Sequence, residues 1–86
     1  MNTKLIEFKM SVIEYLRNEY PDNYHWYFSD NDWLICECDD AALVFDTQQL
    51  GHIYNIFCAG GMYCQGITAK PTPLWQRELI LMIEGS

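Results

Sequence analysis

Four cysteines and two histidines are the side chains best suited to chemistry in this chain, and their spacing limits what they can do. The cysteines fall as Cys36-x-Cys38 and Cys58-x5-Cys64, with His25 and His52 nearby in sequence. A structural zinc site is usually built on knuckles such as C-x2-C, whose tight turn aims two sulfurs at one point. On a strand, Cys36 and Cys38 share a face but stand about 7 Å apart along it, which suits a single metal poorly. A thiol nucleophile needs adjacent positive charge or a helix N-terminus to hold its thiolate. Cys58 is expected at a helix C-terminus, the wrong end, and acidic neighbours raise a thiol pKa. Core packing is therefore the favoured use of the cysteines. A small Cys/His metal-binding domain or enzyme is kept as an alternative, and no cofactor or metal is expected.

Carboxylates are the other candidates. Asp30-x-Asp32 and Glu37-x-Asp39-Asp40 could hold a divalent ion or form an acid–base pair. An EF-hand loop, however, needs a glycine and a closing glutamate that Asp30-Asn31-Asp32-Trp33 does not supply. A hydrolase would add His or Lys to tune such acids. Gly60-Gly61-Met62 is not a phosphate loop, because no Lys, Ser or Thr follows in the required place. With no catalytic signature, the chain is expected not to be an enzyme.

The same acids belong to a larger pattern. Residues 18–69 hold eight carboxylates (Glu19, Asp22, Asp30, Asp32, Glu37, Asp39, Asp40, Asp46) and no Lys or Arg. Residues 1–17 sum to +1 and residues 70–86 to zero, so this stretch carries −8 against a total of −7. A field of one sign steers a basic partner. It also argues against direct binding to DNA or RNA, since phosphate contacts need Lys and Arg.

The elements that must position these residues are readable from periodicity. Leu5, Ile6, Phe8, Val12, Ile13, Leu16 and Tyr20 form one stripe at 100° per residue, which predicts a helix over 5–20 stopped by Pro21. Asn2 or Thr3 is its expected N-cap, and Lys9, inside the stripe, must snorkel. Residues 24–29 and 33–38 read as two strands of a hairpin around the turn formers of 29–32. In the second strand Trp33, Ile35 and Glu37 point one way and Leu34, Cys36 and Cys38 the other. Asp39-Asp40 makes a second turn, and 41–45 a third strand. Asp46 or Thr47 then caps a helix carrying Leu50, Ile53, Tyr54, Phe57 and Cys58, closed by Gly60-Gly61. Gly51 weakens that helix, so a fourth strand over 52–59 stays open. Residues 62–70 read as a loop or a short extended piece. Thr72-Pro73 starts a last helix with proline at its first position, running through Leu74, Trp75, Leu79, Met82 and Ile83 to Gly85.

The 86 residues make a single domain, 1–86, in the α+β class. Its order is α-β-β-β-α-α, with two to three helices on one face of a small three-stranded antiparallel sheet. No apolar run exceeds five residues, so no membrane span is expected. Met1-Asn2-Thr3-Lys4 leads straight into an amphipathic pattern, which reads as no signal peptide and a cytoplasmic location.

Three Trp and six Tyr are more than so small a core easily hides. Tyr24, Trp26 and Trp33 on the hairpin, among Asp30, Asp32, Glu37, Asp39, Asp40 and Asp46, therefore form the expected partner-binding set. Aromatic anchors ringed by carboxylates suit a surface rich in Arg and Lys, through cation–π contact and charge pairing. Spaced carboxylates can also imitate phosphates in a nucleic-acid-binding groove. In size, acidity and aromatic content the chain resembles in style the small inhibitors of phages and mobile elements, anti-restriction and anti-CRISPR proteins among them. That resemblance implies a protein-binding inhibitor docked on a nucleic-acid-handling complex. An immunity or antitoxin protein neutralising a basic toxin is the alternative. A homodimer through a strand edge, or through Leu74, Trp75 and Met82, is the rival use of the apolar surface.

Overall fold

The computed structural model describes residues 3–60, the backbone of 63–64, and residues 72–85. The first helix, α1, spans Thr3–Glu19 and buries Phe8, Val12 and Leu16, the centre of the expected stripe. Ile6, at the stripe's edge, is exposed instead. It lies about 120° of helix rotation from the line through Val12, too far round to reach the core. Thr3 is already helical, and Asn2 lies outside the described residues.

Strands β1 (Tyr24–Phe28), β2 (Leu34–Cys38) and β3 (Ala41–Phe45) form an antiparallel meander in the order β1-β2-β3. Its register pairs Trp26 with Cys36 and Cys36 with Leu43. With a side-chain period of two, Tyr24, Trp26, Phe28, Leu34, Cys36, Cys38, Leu43 and Phe45 share one face. Trp26, Leu34, Cys36 and Phe45 on it are buried with Phe8, Val12 and Leu16 of α1.

Helix α2 spans Thr47–Ala59, which resolves 52–59 as helix. Asp46 is its cap: the carboxylate accepts from the Gln49 N–H, and the Gln49 side chain accepts from the Asp46 N–H. This reciprocal box satisfies two end groups and outweighs the cost of Gly51 in the helix. Gly60, at φ 64, ends α2 in a conformation that glycine takes without strain; Gly61 lies outside the described residues.

Two short strands follow, β4 (Tyr63–Cys64) in the stretch that reads from sequence as a loop or short extended piece, paired with β5 (Thr72–Pro73), where the last helix is expected to start. The rest of 61–71 lies outside the described residues. The last helix, α3, spans Leu74–Glu84 and contributes buried Leu79 and Ile83. Pro73 stands at its N-cap rather than at its first helical position, so the helix starts one residue later than expected, because the Pro73 φ/ψ is still extended. Trp75 and Met82 are partly buried and pack against the core. Trp75 meets the rings of Tyr15 and Phe57 edge-on at 5.8 and 5.5 Å. The core thus sits between one face of the meander and the three helices. No described helix is long and apolar enough to cross a membrane.

Candidate functional face of the sheet

The helices cover one side of the meander only. On the other, Tyr27 of β1, Ile35 of β2 and Val44 of β3 lie side by side in register, and His25, Glu37 and Ala42 form the next row. Tyr27 is 41%, Val44 50% and the adjacent Trp33 39% exposed. Cross-strand neighbours stand about 5 Å apart, so these side chains form a continuous apolar strip across three strands. The Tyr27 hydroxyl donates to Glu37 Oε1 at 2.9 Å, and that bond is the main cause of its raised pKa.

Acids bracket the strip. The turn after β1 brings Asp30 to the end where Trp33 and Asp46 stand. The turn after β2 brings Asp39 and Asp40 to the opposite end, beyond Glu37. The two ends are about 17 Å apart, five strand residues at 3.3 Å each. His25 is the only titratable cation donor on this face, and no Lys or Arg occurs in β1, β2, β3 or their turns.

Residue by residue, the expected set divides. Trp33, Glu37, Asp30, Asp39 and Asp40 are exposed on or around the strip. Trp26 is not: at 4% exposure it belongs to the core, and Tyr24 shares its inward face. Tyr20 stacks on Tyr24 at 5.4 Å and tilts against Trp26 at 5.3 Å, so half-buried Tyr24 sits in a ring ladder against the core. Trp26 Nε1 is buried without a hydrogen-bond partner among the described residues, a small destabilising debt inside that packing. Asp32 is tied internally, accepting from Lys9 Nζ across the α1–turn contact. This is where the snorkelling Lys9 goes, and it neutralises one acid of the first turn. Asp46 has one oxygen engaged as the α2 cap. Asp39 makes only a long contact from Asn23 at 3.4 Å, and Asp30 and Asp40 have no partner among the described residues.

Tyr27 was missed by the sequence reading because β1 is aromatic at four of its five positions, which erases the alternation. The usable signal was polarity. His25 and Glu37, paired in register, share a phase with Tyr27 and mark that side as the wet one.

The nucleophile and metal candidates are placed elsewhere. Cys36 is fully buried, and burial, then Cys38 and Glu37, push its thiol up to about 11, away from thiolate chemistry. Cys58 is exposed near the C-terminus of α2, and the side chain of Cys64 lies outside the described residues. His52 faces Glu78 of α3 at 3.9 Å. Among the described residues, no three His, Cys, Asp or Glu side chains converge as metal ligands. A cleft of about 470 Å³ brings Arg17, Asp22 and His25 together, yet no hydrogen bond or ion pair joins them. Nothing there positions a base on a nucleophile. No protein-family model matches the chain, and comparison with curated proteins and with solved structures gives no match.

Proposed function

We propose that this protein is a non-catalytic inhibitor that docks the bare face of its sheet on a basic surface of a partner protein. The observation that carries the reading is the strip of Trp33, Tyr27, Ile35 and Val44 with carboxylates at both ends and no lysine or arginine on it. Aromatic anchors at the centre and charges at the rim are the anatomy of a protein interface. The acids favour a cationic partner and exclude an anionic one. Carboxylates at both ends of the strip can stand in for phosphates in a basic groove, so a nucleic-acid-handling protein is the inferred target. An immunity or antitoxin role against a basic toxin would use the same face, and the identity of the co-purifying protein separates the two.

The test is capture from the native host at low and high salt, using wild type, Trp33→Ala and the double reversal Asp30→Lys/Asp40→Lys. Loss of the Trp33 anchor should weaken binding about 30-fold. Charge reversal should slow association and remove most of the salt dependence. Capture indifferent to salt and to all of these substitutions would sink the reading.

A further inference from the structure

Strand β3 is an outer strand of the meander, and no described strand pairs with its far side. All five of its residues, Ala41-Ala42-Leu43-Val44-Phe45, are apolar. The two-residue connection Asp39–Asp40 makes Cys38 and Ala41 the closing pair, which exchanges both main-chain bonds. By alternation Leu43 and Phe45 also bond to β2, so Ala42 and Val44 turn their N–H and C=O groups outward. The first hairpin fixes the same phase independently. Ser29 N–H donates to the Trp33 carbonyl at 2.9 Å, which assigns Ile35 and Glu37 to β1 and leaves Leu34, Cys36 and Cys38 for β3.

Sheet edges are normally blunted by Lys, Pro, a bulge or a covering element. This edge carries no Lys or Pro, its pairing with β2 is unbroken, and Ala41, Ala42 and Val44 are exposed. What stands at its two ends is acid: Asp39 and Asp40 before it, Asp46 after it. Asp40 and Asp46 are six residues apart, about 20 Å along a strand.

We propose that β3 accepts an extended segment of the partner protein as a fourth strand. The segment alternates apolar and polar residues over about five positions and carries Lys or Arg at each end. This rests on the docking reading above and adds how the partner is held. Main-chain bonds to Ala42 and Val44 supply the attachment, apolar side chains continue the Tyr27–Ile35–Val44 row, and the two cations meet Asp40 and Asp46. A second copy of this chain is the wrong occupant. Full-register antiparallel pairing of β3 with itself lays Asp40 against Asp46 of the other copy at both ends, and like charges placed opposite destabilise a ladder.

The probe is a synthetic heptapeptide, Arg-Thr-Val-Thr-Val-Thr-Arg, added to the full-length isotope-labelled chain and followed by amide hydrogen exchange. A second peptide has Glu at both ends. The Arg-ended peptide should slow exchange at Ala42 and Val44 while leaving Leu43 and Phe45 unchanged, and the Glu-ended one should do neither. Ala42→Pro removes an outward donor without touching the β2 ladder and should weaken binding about tenfold at unchanged Tm. The exchange measurement stands even if that variant fails to fold. Equal binding of both peptides, binding without protection at Ala42 and Val44, no binding at about 1 mM, or self-pairing through β3 overturns the proposal. If the peptide fails while partner capture still depends on Trp33 and the acids, strand addition falls and face docking survives. If capture is indifferent to those residues, the docking reading falls whatever the peptide does.

Discussion

The two faces of one three-stranded sheet are built from similar residues and put to opposite use. The inner face holds Trp26, Leu34, Cys36 and Phe45 under three helices; the outer holds Tyr27, Ile35 and Val44 with no described helix over them. Trp26 and Tyr27 are neighbours in sequence, yet one is 4% and the other 41% exposed. The pleat alone makes that difference. Core packing and the proposed docking thereby fall on alternate residues of the same strands, so substitutions should separate them.

The largest separation should come from the tryptophans. Trp26→Ala should cost about 3–5 kcal/mol in urea unfolding, most of the stability of a domain this size. Trp33→Ala should stay within about 0.5 kcal/mol. Trp26→Phe should cost far less than the alanine change, because it also removes an indole N–H that is buried without a partner. A Trp33→Ala loss as large as that of Trp26→Ala would erase the division between the faces.

Alkaline pH probes the same division. Cys36 is held near 11 against an ordinary 9.0 by burial first, so its contribution is complete below pH 9 and lost as pH climbs through about 11. The amount is on the order of 2 kcal/mol. Tyr20, raised by burial and by its 2.7 Å bond to Glu84, adds to the same alkaline loss. Tyr20→Phe should flatten that limb, and Tyr27→Phe should flatten it less, because the Tyr27–Glu37 bond that raises its hydroxyl is exposed to solvent. Iodoacetamide should label exposed Cys58 and spare Cys36 until the protein unfolds.

Much of this architecture was legible in the sequence because it is encoded locally. The spacing of Phe8, Val12 and Leu16 announces α1, Asp39-Asp40 announces a turn, and Asp46 is one of the two caps that announce α2. The phase of β1 was not legible, since alternation carries information only where polarity changes from one residue to the next. Tyr24-His25-Trp26-Tyr27-Phe28 changes once, at His25. Register supplies the missing phase by setting His25 against Glu37 and Trp26 against Cys36, and register is a tertiary fact. The Lys9–Asp32 pair is non-local for the same reason: twenty-three residues separate its members, and only the packing of α1 on the first hairpin brings them together.

Asp46 tests whether an acid at the rim serves the fold or the face. Asp46→Ala should cost about 1 kcal/mol by uncapping α2. Asp46→Asn caps equally well without charge, so it should restore stability and still weaken capture of a basic partner. Full recovery of both by asparagine would remove Asp46 from the docking set and leave it a cap.

The smallest effect is expected at Asp39, where the sign matters more than the size. Its φ of 44 places a residue with a Cβ in left-handed backbone, at the tip of the turn beside the strip. Aspartate tolerates that region better than most side chains, and glycine adopts it freely. Asp39→Gly relieves the strain but frees the unfolded chain, and the two nearly offset. A net gain of about 0.3 kcal/mol, a Tm rise of about 1–2 °C, is expected. The same change deletes one of the carboxylates at that end of the strip, so binding of a basic partner should fall as stability rises. Opposite shifts of Tm and affinity in one variant would measure directly what the carboxylate at this position trades between the fold and the proposed docking.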